Sequence, residues 1–437
     1  MFLPQPVQFC IHLLEQAGYP TYAVGGCVRD SLLGLQPHDY DLCTAATPQE
    51  ICRVFSAYSL VRAGEKHGTI GVVLDGAVYE ITTFRTEGDY TDSRHPGWVA
   101  FVPNVEQDLA RRDFTVNAMA YSPTRGFADP FGGQSDLQSK TLRAVGDANH
   151  RFTEDALRIL RGVRFSVKYR LQPERSTLEA MLHLAPRLHN IAAERIFDEL
   201  CKLLPLVTAE DLITFTPILQ QILPELGGTV GFQQHNVHHK YDVYTHTAHV
   251  VGATPPLLPL RWAALLHDVG KPATFTMDDA GQGHFYGHAE ESAALADRIL
   301  RRLKASNALR EQVVALVKLH MTLLTPEEKV IRRWMSRLGA ETLENLLLLQ
   351  EADTGSKGTG RDSHQAVFQQ IRCLMTKIQS EEACLSLKDL AINGHDLMAI
   401  GFTGKAIGST LHGLLEQVID GTLPNEKSAL LNAVMQQ

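Results

Sequence analysis

Two aspartates placed two residues apart, shortly after a glycine pair, are the residues of this sequence whose spacing suggests chemistry most directly. Gly25 and Gly26 follow a short apolar run and precede a segment with helical spacing, which predicts a strand-to-helix turn. Such a turn lets the backbone approach a phosphate chain, and the N-terminus of the helix offers free N–H groups to it. Asp39 and Asp41 would point to one side of a strand, where two carboxylates suit Mg²⁺ holding nucleotide phosphates. Each motif alone is better explained by a turn and solvated aspartates, but their order and spacing favour a nucleotide site.

Further charged residues follow in two groups. Arg112 lies in a run of two arginines and an aspartate, where it can contact a phosphate or a ribose, with a buried Arg–Asp pair as the alternative. Asp155, Arg158 and Arg161 are three residues apart and predict a polar ridge on one helix, with intrahelical salt bridges of about 0.2–0.5 kcal/mol each as the alternative. A carboxylate accepts from the exocyclic amine of cytosine or adenine, and a guanidinium donates to the adjacent ring nitrogen. Such a pair would select C and A without a nucleic-acid template, because uracil and guanine present the opposite order.

In this order, over roughly residues 20 to 230, these motifs resemble those of the class II CCA-adding and poly(A) polymerase nucleotidyltransferases, which belong to the polymerase-β-like superfamily. The resemblance implies that Asp39 and Asp41 are catalytic and bind Mg²⁺. It also implies that the triphosphate is held by four residues: Gly25, Gly26, Arg29 and Arg112. Glu80, on a strand predicted to face the aspartate pair, is a candidate third carboxylate, and an exposed strand residue is the alternative.

The same resemblance assigns the selection of the base. It implies that Asp155 and Arg158 read the base edge, and that Arg161 and Arg164 support them or the phosphates. Residues 86–96 resemble a flexible loop that complete CCA-adding enzymes need for the switch from C to A addition. The loop has its full length here, which favours complete CCA synthesis.

A second set of potential metal ligands lies between residues 238 and 353. The set has four histidines and two aspartates: His246, His267, Asp268, His288, His320 and Asp353. Imidazole and carboxylate together suit Mn²⁺, Fe²⁺, Ni²⁺ or Zn²⁺. The string around His267 and Asp268 resembles the HD family of metal-dependent phosphohydrolases. This implies that His246 and Asp353 complete the core ligand set and that His288 and His320 serve a second metal; a degenerate HD fold kept as scaffold is the alternative.

The composition limits the other classes of function. The chain has 437 residues, a net charge of −8 and seven scattered cysteines without a Cys-x-x-Cys pair. These features predict a cytoplasmic globular protein with reduced thiols, and neither a signal peptide nor a membrane span is expected. The acidic net charge is unusual for an RNA-binding protein, but residues 140 to 179 are locally basic. That strip is compatible with one RNA partner, and a solvated helix face is the alternative.

The sequence therefore predicts an α+β chain of four parts. A polymerase-β-like head with a mixed sheet (1–138) is followed by a helical neck and body (139–235), an HD domain (236–355) and a helical tail (356–437). The expected activity is the addition of CCA to tRNA from CTP and ATP, with Mg²⁺ in the head and a transition metal in the HD domain. An A-adding or poly(A) polymerase is one alternative, and an HD phosphohydrolase whose head only holds RNA is another. The oligomeric state and the role of the tail stay open.

Overall fold

The computed structural model describes residues 1–88, 99–235, 240–357 and 361–435. The predicted loop at 86–96 lies largely outside these residues. The α-helices and strands are α1 (Gln5–Gln16), β1 (Thr21–Val24), α2 (Gly26–Leu32), β2 (Leu42–Thr44), α3 (Pro48–Val54), β3 (Leu60–Val61), β4 (Thr69–Leu74), β5 (Ala77–Thr83), β6 (Arg85–Glu87), β7 (Val99–Phe101), α4 (Val105–Ala110), β8 (Ala120–Ser122), β9 (Gly126–Ala128), α5 (Gly133–Gln138), β10 (Thr141–Leu142), α6 (Ala148–Glu154), α7 (Leu157–Tyr169), β11 (Gln172–Pro173), α8 (Arg175–Leu184), α9 (Ala193–Leu203), α10 (Ala209–Thr214), α11 (Thr216–Ile222), α12 (Val243–Ala253), α13 (Leu258–Leu266), α14 (Lys271–Thr274), β12 (Thr276–Met277), β13 (Gly283–His284), α15 (His288–Arg302), α16 (Asn307–Leu319), α17 (Glu328–Leu338), α18 (Ala340–Ser356), α19 (Arg361–Ser380), α20 (Gly394–Ala399), α21 (Lys405–Ile419) and α22 (Lys427–Met435).

The chain forms two compact units. Unit 1 comprises Met1–Leu206 with Thr214–Pro224, and unit 2 comprises Val207–Ile213 with Glu225–Gln437. Unit 1 carries the mixed sheet, and unit 2 is almost entirely helical among the described residues. The α+β class is therefore confirmed, whereas the finer division into four parts stays a prediction.

The sheet of unit 1 has the strand order β3-β4-β5-β2-β1-β8-β9. Only β2 and β5 are parallel in it, and the other neighbours are antiparallel. The strands β4 and β5 are joined by a hairpin at Asp75 and Gly76, whose φ angles of 51° and 80° fit a two-residue turn. The strands β8 and β9 were not predicted, because three-residue strands give too little alternation to be recognised.

A buried apolar cluster supports the end of this sheet that carries the candidate site. It contains Val24, Cys43, Phe84, Val105, Leu109, Ala118, Ala120 and Val145. Val24 is the last residue of β1, directly before the glycine pair, and Cys43 lies in β2, two residues after Asp41. The core therefore fixes the two strand ends from which the predicted catalytic residues extend.

Helices of unit 2 pack around a separate core. The helices that carry or precede the predicted HD ligands pack against one another, through the pairs α15–α16, α13–α16, α12–α18 and α12–α13. The tail forms a further buried cluster around Leu397, Leu414 and Leu430. Among the described residues, no helix is both long and apolar enough to cross a membrane.

Candidate active site

A glycine turn connects β1 to α2, as the sequence predicted. Gly25 has φ 77° and ψ −121°, a conformation that residues with a Cβ rarely adopt. A Cβ at Gly25 would also lie 2.7 Å from Nη1 of Arg112, whereas one at Gly26 would meet its nearest neighbour at an ordinary 3.6 Å. The structure therefore requires glycine at position 25 in particular. Gly34, with φ 73°, follows the end of α2 and allows the chain to leave the helix.

The two predicted catalytic aspartates lie in an irregular segment directly before β2 and not on the strand that was predicted, and both residues are exposed. The amide of Val24 donates to the carbonyl of Asp41 at 3.0 Å, which continues the pairing of β1 with β2. Because Leu42 pairs with Ile81 in the parallel β2–β5 ladder, Asp41 and Glu80 are the preceding residues on adjacent strands. Desolvation and the carboxylates of Asp39 and Glu80 raise the pKa of Asp41, and Arg112 opposes them.

These carboxylates therefore interact, as expected of groups that share a cation. In the described part of the chain, the ligand oxygens of Asp39, Asp41 and Glu80 do not all lie within 4.8 Å of one another. The effect of Asp39 and Glu80 on the pKa of Asp41 fits a divalent cation, because positive charge would relieve it.

Arg112 reaches this turn from the end of α4. Its Nη2 lies 3.5 Å from Asp108, and its buried Nε forms no hydrogen bond within the described part of the chain. Asp108 is fully buried, and it also accepts from the amide of Arg85 and the guanidinium of Arg111. Burial opposes the ionisation of Asp108, but Arg111 and Arg112 hold its pKa below the usual value. Arg112 thus keeps donor capacity next to Gly25.

Arg29, predicted to contact the triphosphate, is held by neighbouring side chains beside the glycine turn. It is only 5% exposed. Its Nε donates to Asp30 at 2.8 Å, its Nη2 to the hydroxyl of Tyr169 at 2.5 Å, and its Nη1 to the side-chain oxygen of Asn117. The guanidinium also lies 4.2 Å from the centre of the Tyr169 ring, a cation–π contact. These contacts engage all three guanidinium nitrogens and help to hold the turn, and the contact of Arg29 with the triphosphate stays a prediction.

The predicted continuous helix through Asp155 is wrong. Asp155 is extended, with φ −140°, between α6 and α7, and its Oδ1 accepts from the amide of Leu157 at 3.0 Å. Aspartate side chains compete in this way with helix continuation. The other carboxylate oxygen accepts from Nη2 of Arg195 at 2.7 Å. Asp155 therefore stands apart from the ridge formed by Arg158 and Arg161.

The arginines of α7 each have a carboxylate partner. Arg158 contacts Glu154 at 2.5 Å and also donates to the carbonyls of Arg111 and Arg151. Arg161 contacts Asp113 at 2.6 Å, and Arg164 contacts Glu199 at 2.6 Å, so these two pairs join different elements. Burial opposes the ionisation of Asp113, but Arg161 and the amide of Asn117 hold its pKa well below the usual range. Each arginine of α7 is thus paired with a carboxylate that is itself largely buried.

Three residues of this network were not predicted as site residues. Glu154, Asp113 and Arg195 orient the predicted base-reading and supporting groups. The available sequence signal was their position inside the motifs that carry the family resemblance. Their partners lie up to 48 residues away along the chain, so spacing alone could not identify the pairs.

A second cluster of ligands is built in unit 2. Six predicted residues converge there, and all are at least 92% buried: His246, His267, Asp268, His288, His320 and Asp353. They form two triads that share Asp268, with His246 and His267 in one and His288 and His320 in the other.

The shared aspartate faces the two triads with different oxygens. Oδ2 of Asp268 lies 3.2 Å from Nε2 of His267 and 3.7 Å from that of His246. Oδ1 lies 3.4 Å from Nε2 of His288 and 3.8 Å from that of His320. Asp353 adjoins the first triad as a fourth residue, because its Oδ1 is 2.9 Å from Nε2 of His246. Two cations, one beside each triad, would share Asp268 as a ligand.

The histidines are oriented for binding a metal. Nδ1 of His267, His288 and His320 lies 2.6–2.8 Å from a backbone carbonyl three residues earlier, so Nδ1 must donate. In the neutral ring Nε2 is then the unprotonated nitrogen, which is the metal-binding form. Nε2 of His267 is buried and forms no hydrogen bond among the residues described. Asp268 raises the pKa of His267 against the effect of burial, so a cation would compete with a proton there.

Comparisons with known proteins agree with this architecture. Residues 21–143 match the family model of the poly A polymerase head domain, residues 170–227 that of the probable RNA and SrmB-binding site of polymerase A, and residues 285–434 that of a putative tRNA nucleotidyltransferase domain 2. A CCA-adding enzyme of Levilactobacillus brevis is 35% identical over 97% of this chain and 96% of its own length. One of Streptococcus mutans is 32% identical over 100% of this chain and 98% of its own length.

Solved structures give the same result. The crystal structure of Bacillus stearothermophilus CCA-adding enzyme in complex with CTP has a TM-score of 0.73 and 28% identity, over 99% of this chain and 98% of that one. The Thermotoga maritima CCA-adding enzyme complexed with tRNA has a TM-score of 0.55 at 21% identity, over 99% of this chain and 94% of that one, which supports the fold alone.

The mixed sheet, the glycine turn and the carboxylates beside it define a nucleotidyltransferase of the polymerase-β type. Given its full-length relatives, the chain belongs to the family of CCA-adding enzymes. Membership implies dependence on a divalent metal.

Proposed function

We propose that this chain adds C, C and A in that order to the 3′ end of tRNA, using CTP and ATP and no nucleic-acid template. The observation that carries the proposal is the interacting set of Asp39, Asp41 and Glu80 beside the Gly25 turn and Arg112. The names of the full-length relatives support it. A cytoplasmic location goes with it, in line with seven cysteines that are all free thiols.

Asp39 and Asp41 are proposed to hold Mg²⁺, with Glu80 as the third carboxylate. Mg²⁺ supplies charge neutralisation for the triphosphate and for the departing pyrophosphate, and it activates the terminal hydroxyl of the RNA. Arg112, together with the backbone at Gly25 and Gly26, binds the triphosphate, since its guanidinium lies against that turn.

Base selection is proposed to rest on Asp155 and Arg158. Asp155 accepts from the exocyclic amine, and Arg158 donates to the neighbouring ring nitrogen. Arg195 and Glu154 hold these two side chains in place, since each forms an ion pair at 2.7 Å or less. Arg161 and Arg164 support the network from α7.

The decisive experiment incubates a tRNA lacking its CCA end with labelled CTP and ATP, separately and together. Ordered addition of C, C and A supports the proposal. Addition of CC alone, or of A alone, indicates a polymerase of narrower output, and no addition refutes the proposal. Asp39→Ala should abolish the incorporation of both nucleotides while tRNA binding is retained. Glu80→Gln should reduce incorporation, and Glu106→Gln, an exposed carboxylate of α4, is the matched control.

A second activity is favoured by the two buried triads of unit 2. We propose that they bind a transition metal such as Mn²⁺, Ni²⁺, Fe²⁺ or Zn²⁺ and hydrolyse phosphoesters. The fit rests on the bridging geometry of Asp268 and on the orphaned Nε2 of His267. A bound metal lowers the pKa of its water towards neutrality and so supplies the nucleophile.

The proposed substrates are 2′,3′-cyclic phosphates or other damaged tRNA ends. An RNA end with a cyclic phosphate has no free hydroxyl to attack CTP, so a phosphodiesterase on the same chain would restore the substrate of the head. The test compares the wild type with a His267→Ala, Asp268→Ala double variant on a chromogenic phosphodiester with Mn²⁺, Ni²⁺ or Mg²⁺. His412→Ala, an exposed histidine of the tail, is the control. Absence of metal-dependent hydrolysis and of bound metal in the wild type would leave unit 2 as a scaffold.

A further inference from the structure

Two lysine ammonium groups lie against the carboxylates of the buried centre in unit 2. Nζ of Lys271 is 2.7 Å from Oδ2 of Asp268, and Nζ of Lys357 is 2.5 Å from Oδ2 of Asp353. In Asp268 the oxygen that faces Lys271 also faces His267. In Asp353 the oxygen that faces Lys357 is Oδ2, whereas Oδ1 faces His246. Neither lysine was predicted as a site residue.

The two lysines differ in how firmly they are held. The side chain of Lys271 is 5% exposed, it donates to Oε1 of Gln234 at 2.8 Å, and it lies 5.2 Å from the ring centre of Phe285. Lys357 follows the last residue of α18, and its side chain is 22% exposed. Within the part of the chain that the structure describes, its ammonium donates only to Asp353. Lys357 is thus the ammonium that can leave its carboxylate without breaking a second contact.

The charges of the centre indicate under which condition the ammonium of Lys357 would leave Asp353. With neutral imidazoles, the carboxylates of Asp268 and Asp353 carry two negative charges, and the ammonium groups of Lys271 and Lys357 balance them. A divalent cation bound to Asp353 takes over this neutralisation and repels the ammonium beside it. The long lysine side chain then allows the group to turn to another anion within a few ångströms.

We propose that Lys357 is a phosphate-binding residue of this centre: it neutralises Asp353 in the metal-free protein and contacts a non-bridging phosphate oxygen of the substrate when the metal is bound. The inference rests on the proposed phosphohydrolase function and names the group that recognises the phosphate. The ligand class is a phosphate monoester or diester, because an ammonium offers a compact charge without requiring a planar partner. Lys271, buried and held by Gln234, keeps its place on Asp268.

The test uses the full chain as wild type, Lys357→Met and Lys357→Arg. Lys427→Met is the matched control, since Lys427 forms an exposed ion pair with Asp396 in the tail. Mn²⁺ affinity is measured by calorimetry on the chelator-treated protein, and inorganic phosphate affinity on the Mn²⁺-loaded protein. KM is measured on a chromogenic phosphodiester. Lys357→Met should bind phosphate about tenfold more weakly and raise KM by a similar factor, because one charge-assisted hydrogen bond is lost.

Mn²⁺ should bind Lys357→Met at least as tightly as the wild type, because a competing ammonium has been removed. Lys357→Arg should keep most of the phosphate affinity, and Lys427→Met should match the wild type. Unchanged phosphate affinity in Lys357→Met would overturn the inference and leave Lys357 as a structural partner of Asp353. If the wild type binds Mn²⁺ but hydrolyses nothing, the phosphohydrolase proposal fails, while the phosphate titration still decides the role of Lys357. If the wild type binds no Mn²⁺, both fail.

Discussion

Replacing Gly25 with alanine tests the link between backbone geometry and triphosphate binding. At φ 77° and ψ −121° an alanine is strained, which costs about 1–3 kcal/mol of folding free energy. The new Cβ would also lie 2.7 Å from Nη1 of Arg112. That atom ends a flexible side chain, so Arg112 moves away, and little steric energy is added. The move costs a weak 3.5 Å ion pair with Asp108 and the proposed contact with the triphosphate.

Gly126→Ala is the matched control for the backbone term. Gly126, the first residue of β9, has φ 73°, and a Cβ there would meet nothing within 4 Å. Both variants should unfold at lower urea concentration than the wild type, Gly25→Ala by the larger amount. Only Gly25→Ala should raise KM for CTP and ATP, by about tenfold for one lost charge-assisted contact.

A double variant separates the two effects. In an Arg112→Ala background the Gly25→Ala change should cost only its backbone strain and should have no further effect on KM. The two substitutions should therefore be non-additive for nucleotide binding and close to additive for unfolding. Wild-type KM in Gly25→Ala, or full additivity of the KM changes, would refute the assignment of Arg112 to the triphosphate.

Three further outcomes are expected. Arg195→Met should lower kcat/KM for both CTP and ATP by about tenfold or more, because Asp155 loses its partner. Arg175→Met, which removes a 90% exposed side chain from its ion pair with Glu179, should leave kcat/KM unchanged, and equal effects of the two variants in steady-state assays would contradict the role of Arg195. Burial lowers the pKa of His320 to about 3, so the folded metal-free protein keeps this ring neutral while the unfolded chain binds a proton near 6.5. The stabilising contribution of His320 is present above about pH 6.5 and is lost as the pH falls towards 3. In urea denaturation of the chelator-treated proteins, the free energy of unfolding should therefore fall less between pH 7 and 5 for His320→Gln than for the wild type. Asp268→Asn should weaken both metal sites but His320→Gln only one, as measured by elemental analysis; an equal loss of metal in the two variants would exclude a bridging carboxylate.

Features governed by neighbouring residues could be predicted from the sequence. The hairpin at Asp75 and Gly76 and the end of α2 at Gly34 follow from residues that tolerate positive φ. The core ligand set of unit 2 and its two extra histidines were predicted from the family resemblance, and the structure groups five of these six residues into two triads that share Asp268. The prediction of secondary structure failed where a side chain competes with the backbone for hydrogen bonds, as at Asp155, and where strands are only three residues long, as in β8.

Partners of the charged groups were the least predictable part of the site, and the reason is physical. Arg161 could equally form an intrahelical pair or reach across to another element, and it pairs with Asp113, 48 residues earlier. For Lys357 and Asp353 the pairing itself is predictable, because their i, i+4 spacing is visible in the sequence. That spacing predicts an ordinary helical ion pair worth a few tenths of a kcal/mol. The structure shows that this pair differs from an exposed helical ion pair, because the Asp353 side chain is 7% exposed and also contacts His246. A spacing rule predicts that two charges meet, but only the surrounding fold decides whether the pair stabilises a helix or prepares a site for a cation and an anion.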